Sequence, residues 1–243
     1  MANFVLVHGA WHGAWCWQRV TTALTAAQHQ VFAVTLTGVG DRAHLLRADL
    51  TLETHIADVM STIEANELSE VILAVHSYAG MLGTAVADRL TARIKHLVYV
   101  DAVIPAPGEA WGSKHAAATR AARMAAIEAS PLRTIAPPDA AMFGLSGADR
   151  DWVNRRMTPQ PGLAYTAPLA FDLQRVGSVP RTFISCTTPM LATIDATRLR
   201  VKDPAFWDGH WQPKARCLEL TTGHNPMVSE PAALAQILLD CAA

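Results

Sequence analysis

The run Val71-Ile72-Leu73-Ala74-Val75-His76-Ser77-Tyr78-Ala79-Gly80 decides how this chain folds. Its apolar first half, with no polar face, reads as a strand buried on both sides, and a helical pattern over 80–90 follows at once. Strand, serine and helix in immediate succession make a sharp turn that lifts the Ser77 hydroxyl above a sheet and aims the next backbone N–H at a reaction centre. The usual motif for such a nucleophile elbow is G-x-S-x-G, and here Val75 and Ala79 stand at its glycine positions. Glycines there let strand and helix approach at a strained turn; Ala79 is small enough, whereas Val75 needs room around its side chain. The simpler reading of Ser77 is an N-cap that opens the helix.

Outward from the elbow, short apolar runs alternate with longer helical patterns. Strands are expected at 4–7, 31–36, 71–75, 97–100, 182–186 and 217–220, and helices at 15–27, 52–65, 80–90 and 231–240. This is the rhythm of parallel strands joined by crossover helices in a doubly wound, mostly parallel α/β sheet. Between Ile104 and Val179 it breaks, and prolines such as Pro105, Pro137, Pro138 and Pro161 punctuate short Ala-rich helical pieces. A mainly helical cap inserted at about 105–179 lies over the carboxyl ends of the strands, where open α/β sheets bind ligands. The core is then 1–104 and 180–243, within one domain spanning 1–243.

Bulk properties narrow the partners. At 243 residues, with 51% hydrophobic and 17% charged side chains, the chain is neither disordered nor a polyelectrolyte. A net charge of -1 and a pI near 6.8 give no basic footprint for nucleic acid and no anchor for anionic lipid. No apolar stretch approaches the roughly 20 residues of a membrane helix. The expected partner is a small, mostly apolar molecule. Cys16, Cys186, Cys217 and Cys241 are scattered and too few to staple a chain of this size, and 4–7 is too short for a signal-peptide core. Both features point to a cytoplasmic setting with reduced thiols.

The first strand runs into His8-Gly9-Ala10-Trp11-His12-Gly13-Ala14-Trp15, a glycine-bearing turn able to expose backbone N–H groups beside the elbow. The oxyanion hole is assigned to the N–H groups of Ala10 and Tyr78. A serine hydroxyl needs an imidazole to take its proton, and His224, in the loop between the last strand and a terminal helix beginning near Glu230-Pro231, follows the serine in the order this architecture requires. His8 and His12 are four apart, but Gly9 and the preceding strand argue for a loop that they order, rather than for a helical metal pair, and no third ligand has sensible spacing. Thr37-Gly38-Val39-Gly40-Asp41-Arg42 lacks the G-x-G-x-x-G fingerprint and reads as a turn at the rim of the site. No metal and no cofactor are expected.

With these residues in view, the chain resembles the plant methylesterase and hydroxynitrile lyase branch of the α/β-hydrolases and its bacterial esterase relatives. The resemblance spans nearly the whole length. It is carried by 4–15, by His76-Ser77-Tyr78, by Phe183-Ile184-Ser185-Cys186-Thr187, and by Gly223-His224 with Met227 and Glu230-Pro231. It implies an α/β-hydrolase fold with a short cap, no cofactor, a buried apolar pocket and a homodimer. Lyases of this branch resemble one another in a threonine after the strand-end histidine and a lysine after the catalytic histidine. Here those places hold Gly9 and Asn225. Lacking the cation that would stabilise departing cyanide, the chain is expected to hydrolyse esters.

The same resemblance puts the triad carboxylate about two residues beyond Thr187, where this chain has Thr188-Pro189-Met190 and no acid. Some other α/β-hydrolases, haloalkane dehalogenases among them, resemble this chain in carrying an acid at the end of the strand after the nucleophile's strand. Asp101 occupies that place, and its alternative role is to hydrogen-bond the loop at 102–105. Asp195, Asp203 and a bare Ser-His pair remain open. The resulting expectation is a carboxylesterase with a catalytic triad of Ser77, His224 and Asp101, acting on small apolar esters. Trp11, Trp111, Phe143 and Met227 are expected to line the pocket, although core packing is an equal role for each. The competing readings are a non-catalytic small-molecule binding protein on the same scaffold, and lyase or lactonase chemistry at the same serine.

Overall fold

The computed structural model describes residues 1–242. Its strands are β1 (Asn3–Val7), β2 (Gln30–Val34), β3 (Val71–His76), β4 (Ile94–Val100), β5 (Thr134–Ile135), β6 (Gln160–Pro161), β7 (Arg181–Cys186) and β8 (Ala215–Leu220). The helices are α1 (Gln18–Ala26), α2 (Leu52–Ala65), α3 (Gly80–Arg89), α4 (Ala117–Ala129), α5 (Gly147–Asn154), α6 (Leu163–Thr166), α7 (Leu173–Ser178), α8 (Asp195–Arg200), α9 (Pro226–Ser229) and α10 (Pro231–Ala242). Six strands form one sheet in the order β2-β1-β3-β4-β7-β8, and every neighbouring pair is parallel. β3 lies inside that sheet and is buried at every position, as its unbroken apolar sequence requires. α1 packs on α10 and α2 packs on α3, and these helix pairs cover the sheet.

Several boundaries move for identifiable reasons. β2 stops at Val34, short of the expected 36, because the Leu36 N–H donates to His8 Nε2 (3.1 Å) and not to a strand. The helix expected from 15 begins with a tight 3-10 turn, Ala14–Trp17, and only then becomes α1. The glycine turn after β2 is held from both ends. Thr37 N–H and Arg42 Nη1 both bond Asp58, and Gly40 N–H donates to Thr158 Oγ1.

The segment between β4 and β7 holds α4 to α7 and the antiparallel β5–β6 pair, which the sequence did not announce. Both of those strands are two residues long, too short for any periodicity to register. Among the described residues, no helix is long and apolar enough to cross a membrane.

Val75 finds its room on α3. A Cβ placed on Gly83 would lie 2.8 Å from both Val75 methyl groups, so the glycine missing from the strand side of the elbow is matched by one in the helix opposite.

Candidate active site

The elbow is built from strain held by packing. Ser77 sits between β3 and α3 at φ 54, in the left-handed region that side chains avoid, and Asp101 just beyond β4 has φ 41. Trp11, after β1, is a third such residue at φ 68. Three strained residues at the ends of neighbouring strands mark a site whose geometry the surrounding core enforces. Gly9 belongs to the same arrangement, since a Cβ there would come within 2.8 Å of the Ser77 Cβ. Only glycine lets the loop after β1 pass so close to the serine.

The hydroxyl, the imidazole and the carboxylate lie in line. Ser77 Oγ is 2.9 Å from His224 Nε2, and His224 Nδ1 is 2.7 Å from Asp101 Oδ2. Nδ1 donates to the carboxylate, which leaves Nε2 free to accept from the serine hydroxyl. Asp101 is fully buried, His224 nearly so, and Ser77 is partly exposed. The histidine loop is clamped from two sides. Its backbone N–H donates to Phe143 O (2.9 Å), and its carbonyl accepts from His76 Nε2 (2.7 Å). His76 is thereby a neutral donor, and burial holds its pKa well below the ordinary histidine value.

Asp101 has a further partner that sequence reasoning missed. Its Oδ1 accepts from Arg198 Nη2 (2.8 Å) and from the Cys186 N–H (3.2 Å). Arg198, on α8, also bonds Ser185 Oγ, the Leu191 and Cys186 carbonyls, and Asp195 Oδ1. The two other candidate acids are engaged elsewhere. Asp195 pairs with Arg198, and Asp203 accepts the Ala205 N–H in a surface turn. At the site where the family resemblance puts the acid, the Thr188 N–H bonds Thr222 O and Met190 is exposed.

The loop after β1 is ordered by its histidines. His8 Nδ1 donates to Gly9 O, and His12 Nδ1 donates to Ala10 O, both at 2.7 Å. Their Nε2 atoms accept from the Leu36 N–H and the Asn225 side-chain amide. With all four ring nitrogens committed, both imidazoles are neutral. Burial pushes His8 down to about 3 and His12 to about 4. Among the described residues, no three His, Cys, Asp or Glu side chains are grouped to hold a metal ion. The Ala10 and Tyr78 N–H groups donate to no other group among the described residues, Tyr78 being in the first turn of the helix that Ser77 opens. The Tyr78 hydroxyl is held by His55 Nδ1 (3.0 Å).

The four expected pocket residues divide. Trp11 lines a cleft of about 480 Å³ together with Arg123, Ile135, Met142 and Ala192, and its lining is mostly apolar. Its indole N–H donates to Ile135 O and its backbone N–H to Gln160 Oε1, tying the loop after β1 to the β5–β6 pair. Trp111 stands 4.8 Å from the Tyr78 ring and 6.2 Å from Trp11, linking the cleft to the elbow. Phe143 and Met227 are outside the lining of that cleft, as are Ser77 and His224. Phe143 lies against His224 at 5.6 Å between ring centroids, where its carbonyl clamps the histidine loop. Met227 is fully buried in the core, because α9 turns that face inward.

A serine on a strained elbow over a parallel sheet, with an imidazole and a buried carboxylate in line, defines the serine α/β-hydrolases as a class. The model of the alpha/beta hydrolase family matches residues 4–237, and the chain belongs to that family. Over 246 residues it is 39% identical to a carbendazim hydrolyzing esterase of Nocardioides sp. (strain SG-4G), covering 98% of each chain. Methylesterase 7 of Arabidopsis thaliana is 28% identical, with 99% of this chain and 96% of that protein covered. Among solved structures, an extracellular alpha/beta-hydrolase from a Paenibacillus species superimposes with a TM-score of 0.83 at 22% identity, covering 99% of each chain. These relatives lie on the methylesterase branch and among its bacterial esterases, in keeping with the resemblance read from 4–15 and the other motifs.

Proposed function

We propose that this chain is a serine carboxylic ester hydrolase for small esters, working through an acyl-enzyme on Ser77. The observation that carries the reading is the hydrogen-bonded line from Ser77 Oγ through His224 to Asp101, with steps of 2.9 and 2.7 Å. Ser77 Oγ attacks the ester carbonyl carbon as its proton passes to His224 Nε2, and Asp101 supplies the counter-charge to the imidazolium. The N–H groups of Ala10 and Tyr78 receive the developing oxyanion. Collapse breaks the C–O bond to the alcohol, which leaves with the proton held by His224. Water then attacks the acyl carbon, gives a proton to the imidazole, and releases the acid as that proton returns to Ser77 Oγ. Methyl esters are the first substrates to try, given the methylesterases among the relatives.

Lyase chemistry is disfavoured by Asn225, whose buried side chain donates to His12 and carries no charge to hold cyanide. Residues 105–179 act as the cap of a single domain. The four free thiols support a cytoplasmic setting, and the family resemblance supports a homodimer. A serine-reactive fluorophosphonate tests the nucleophile. The expected result is one adduct per chain, mapped to the peptide bearing Ser77 and absent from Ser77→Ala; ester turnover without any such adduct would overturn the reading.

A further inference from the structure

Arg123 is a cation in the cleft without a counter-ion. It projects from α4 into the lining, partly buried, and its guanidinium carbon lies 5.5 Å from the Trp11 ring centroid, 5.1 Å from Trp111 and 5.3 Å from Tyr165. Its polar contacts are both neutral: Nη1 is 3.3 Å from His115 Nδ1, and the Tyr165 hydroxyl lies beside it. The imidazole of His115 is kept uncharged by burial and by the arginine itself. Arg150, Arg175 and Arg200 are matched by Asp139, Asp88 and Glu109, and the remaining arginines of the inserted segment, Arg120, Arg133, Arg155 and Arg156, are exposed to solvent. Arg123 forms no ion pair among the described residues.

An unpaired cation in an apolar cleft is costly, and burial already lowers the pKa of this guanidinium. Aromatic faces offset part of that cost by attraction to the charge. Stacking uses the faces of a guanidinium and leaves its edge N–H groups directed outward, in the fork that fits a carboxylate. A second donor is also unused. His115 Nδ1 accepts from Tyr165, so its hydrogen is on Nε2, and that atom is buried without a partner. Of the rings around Arg123, Trp11 follows Ala10 directly in sequence and Trp111 packs on the ring of Tyr78, the residue that supplies the other proposed oxyanion donor.

We infer that Arg123 is the specificity-determining residue of the cleft, and that the favoured substrates are esters carrying a free carboxylate at the end remote from the scissile bond, such as monoesters of dicarboxylic acids. This rests on the esterase reading for turnover but not for binding. The test uses Ser77→Ala, so that ligands bind without being consumed, with tryptophan fluorescence and calorimetry as readouts at pH 7.5. The probes are monomethyl glutarate, adipate and pimelate against neutral methyl esters of matching length.

The best hemiester is expected to bind at least about tenfold more tightly than its neutral counterpart, a difference of about 1.4 kcal/mol. Adding Arg123→Met or Arg123→Gln is expected to erase that ratio, and raising the salt concentration to reduce it. Equal affinity across every pair, or a preference that survives in both arginine variants, overturns the inference. Selective binding with no hydrolysis of any ester by the wild type would sink the esterase reading and leave this one standing. Hydrolysis of both classes at equal kcat/KM, without selective binding, would do the reverse.

Discussion

Arg198 Nη2 lies 2.8 Å from Asp101 Oδ1, while the other oxygen of that carboxylate, Oδ2, holds His224 Nδ1 at 2.7 Å. The carboxylate of the hydrogen-bonded line is therefore shared between an imidazole and a buried guanidinium. The arginine fixes the carboxylate plane and withdraws part of its charge from the histidine.

Removing that cation leaves Asp101 Oδ1 with the Cys186 N–H as its remaining partner, and the carboxylate plane is no longer fixed against His224. The groups around the imidazole are Asp101 and Ser77 in hydrogen-bond contact, with neutral His76 and His12 behind it. Arg198→Met is expected to lower kcat by about tenfold or more while the fold is retained, because the carboxylate is no longer held in line with the imidazole. An unchanged kcat in the folded variant would show that Arg198 only supports the loop.

Asp101→Asn is expected to retain the fold and to lose roughly three to four orders of magnitude in turnover, because the asparagine fixes the wrong imidazole tautomer. Asp195→Asn, whose native side chain reaches Arg198 and not the histidine, should stay within about threefold of wild type on this geometry. Steady-state kinetics with one chromogenic ester compares the two; the reverse ranking would move the acid assignment.

Gly83→Ala sets two effects against each other. Helix propensity favours alanine by about 1 kcal/mol, whereas forcing a methyl into a packed contact costs about 1–3 kcal/mol. Both Val75 methyl groups stand 2.8 Å from the new atom on a fully buried strand, so overpacking wins. Denaturant unfolding is expected to show a net loss of about 1–2 kcal/mol. Adding Val75→Ala should return part of it, and strictly additive losses would contradict the proposed contact.

Stability is expected to fall as the solution is acidified below neutrality. His8 and His12 have folded-state pKa values lowered from 6.5 to about 3 and about 4, so between those values and 6.5 only the unfolded chain takes up the protons. The unfolded state is then favoured as pH drops, and the stabilisation from the neutral imidazoles is fully present only above about 6.5. At pH 5 each of the two costs about 2 kcal/mol, at about 1.4 kcal/mol per pH unit. His76 acts in the same direction. Thermal unfolding should therefore show a Tm lower by at least about 8 °C at pH 5 than at pH 7.5, and a flat Tm across that range would count against the buried neutral histidines.

What the sequence made legible depended on local pattern. The six strands of the sheet and the helices at 52–65 and 80–90 rest on runs and periodicities that a linear reading detects, and each appears within a few residues of its expected place. The hydrogen-bonded line of Ser77, His224 and Asp101 was legible because the serine and the aspartate stand just past β3 and β4 and the histidine lies in the loop after β8. Arg198 was not, since 97 positions separate it from Asp101 and only the docking of the short helix α8 brings them together. Trp111, Phe143 and Met227 show the same limit from the other side. An aromatic or apolar residue in an insertion serves equally as pocket wall, clamp or core, and only tertiary packing assigned Phe143 to the histidine loop and Met227 to the core.

The most direct test compares wild type with Ser77→Ala in steady-state hydrolysis of a chromogenic butyrate ester. Turnover by the wild type and a loss of at least roughly three orders of magnitude in the folded variant are expected, the hydroxyl being the nucleophile in line with His224. Undiminished hydrolysis by Ser77→Ala would contradict the account.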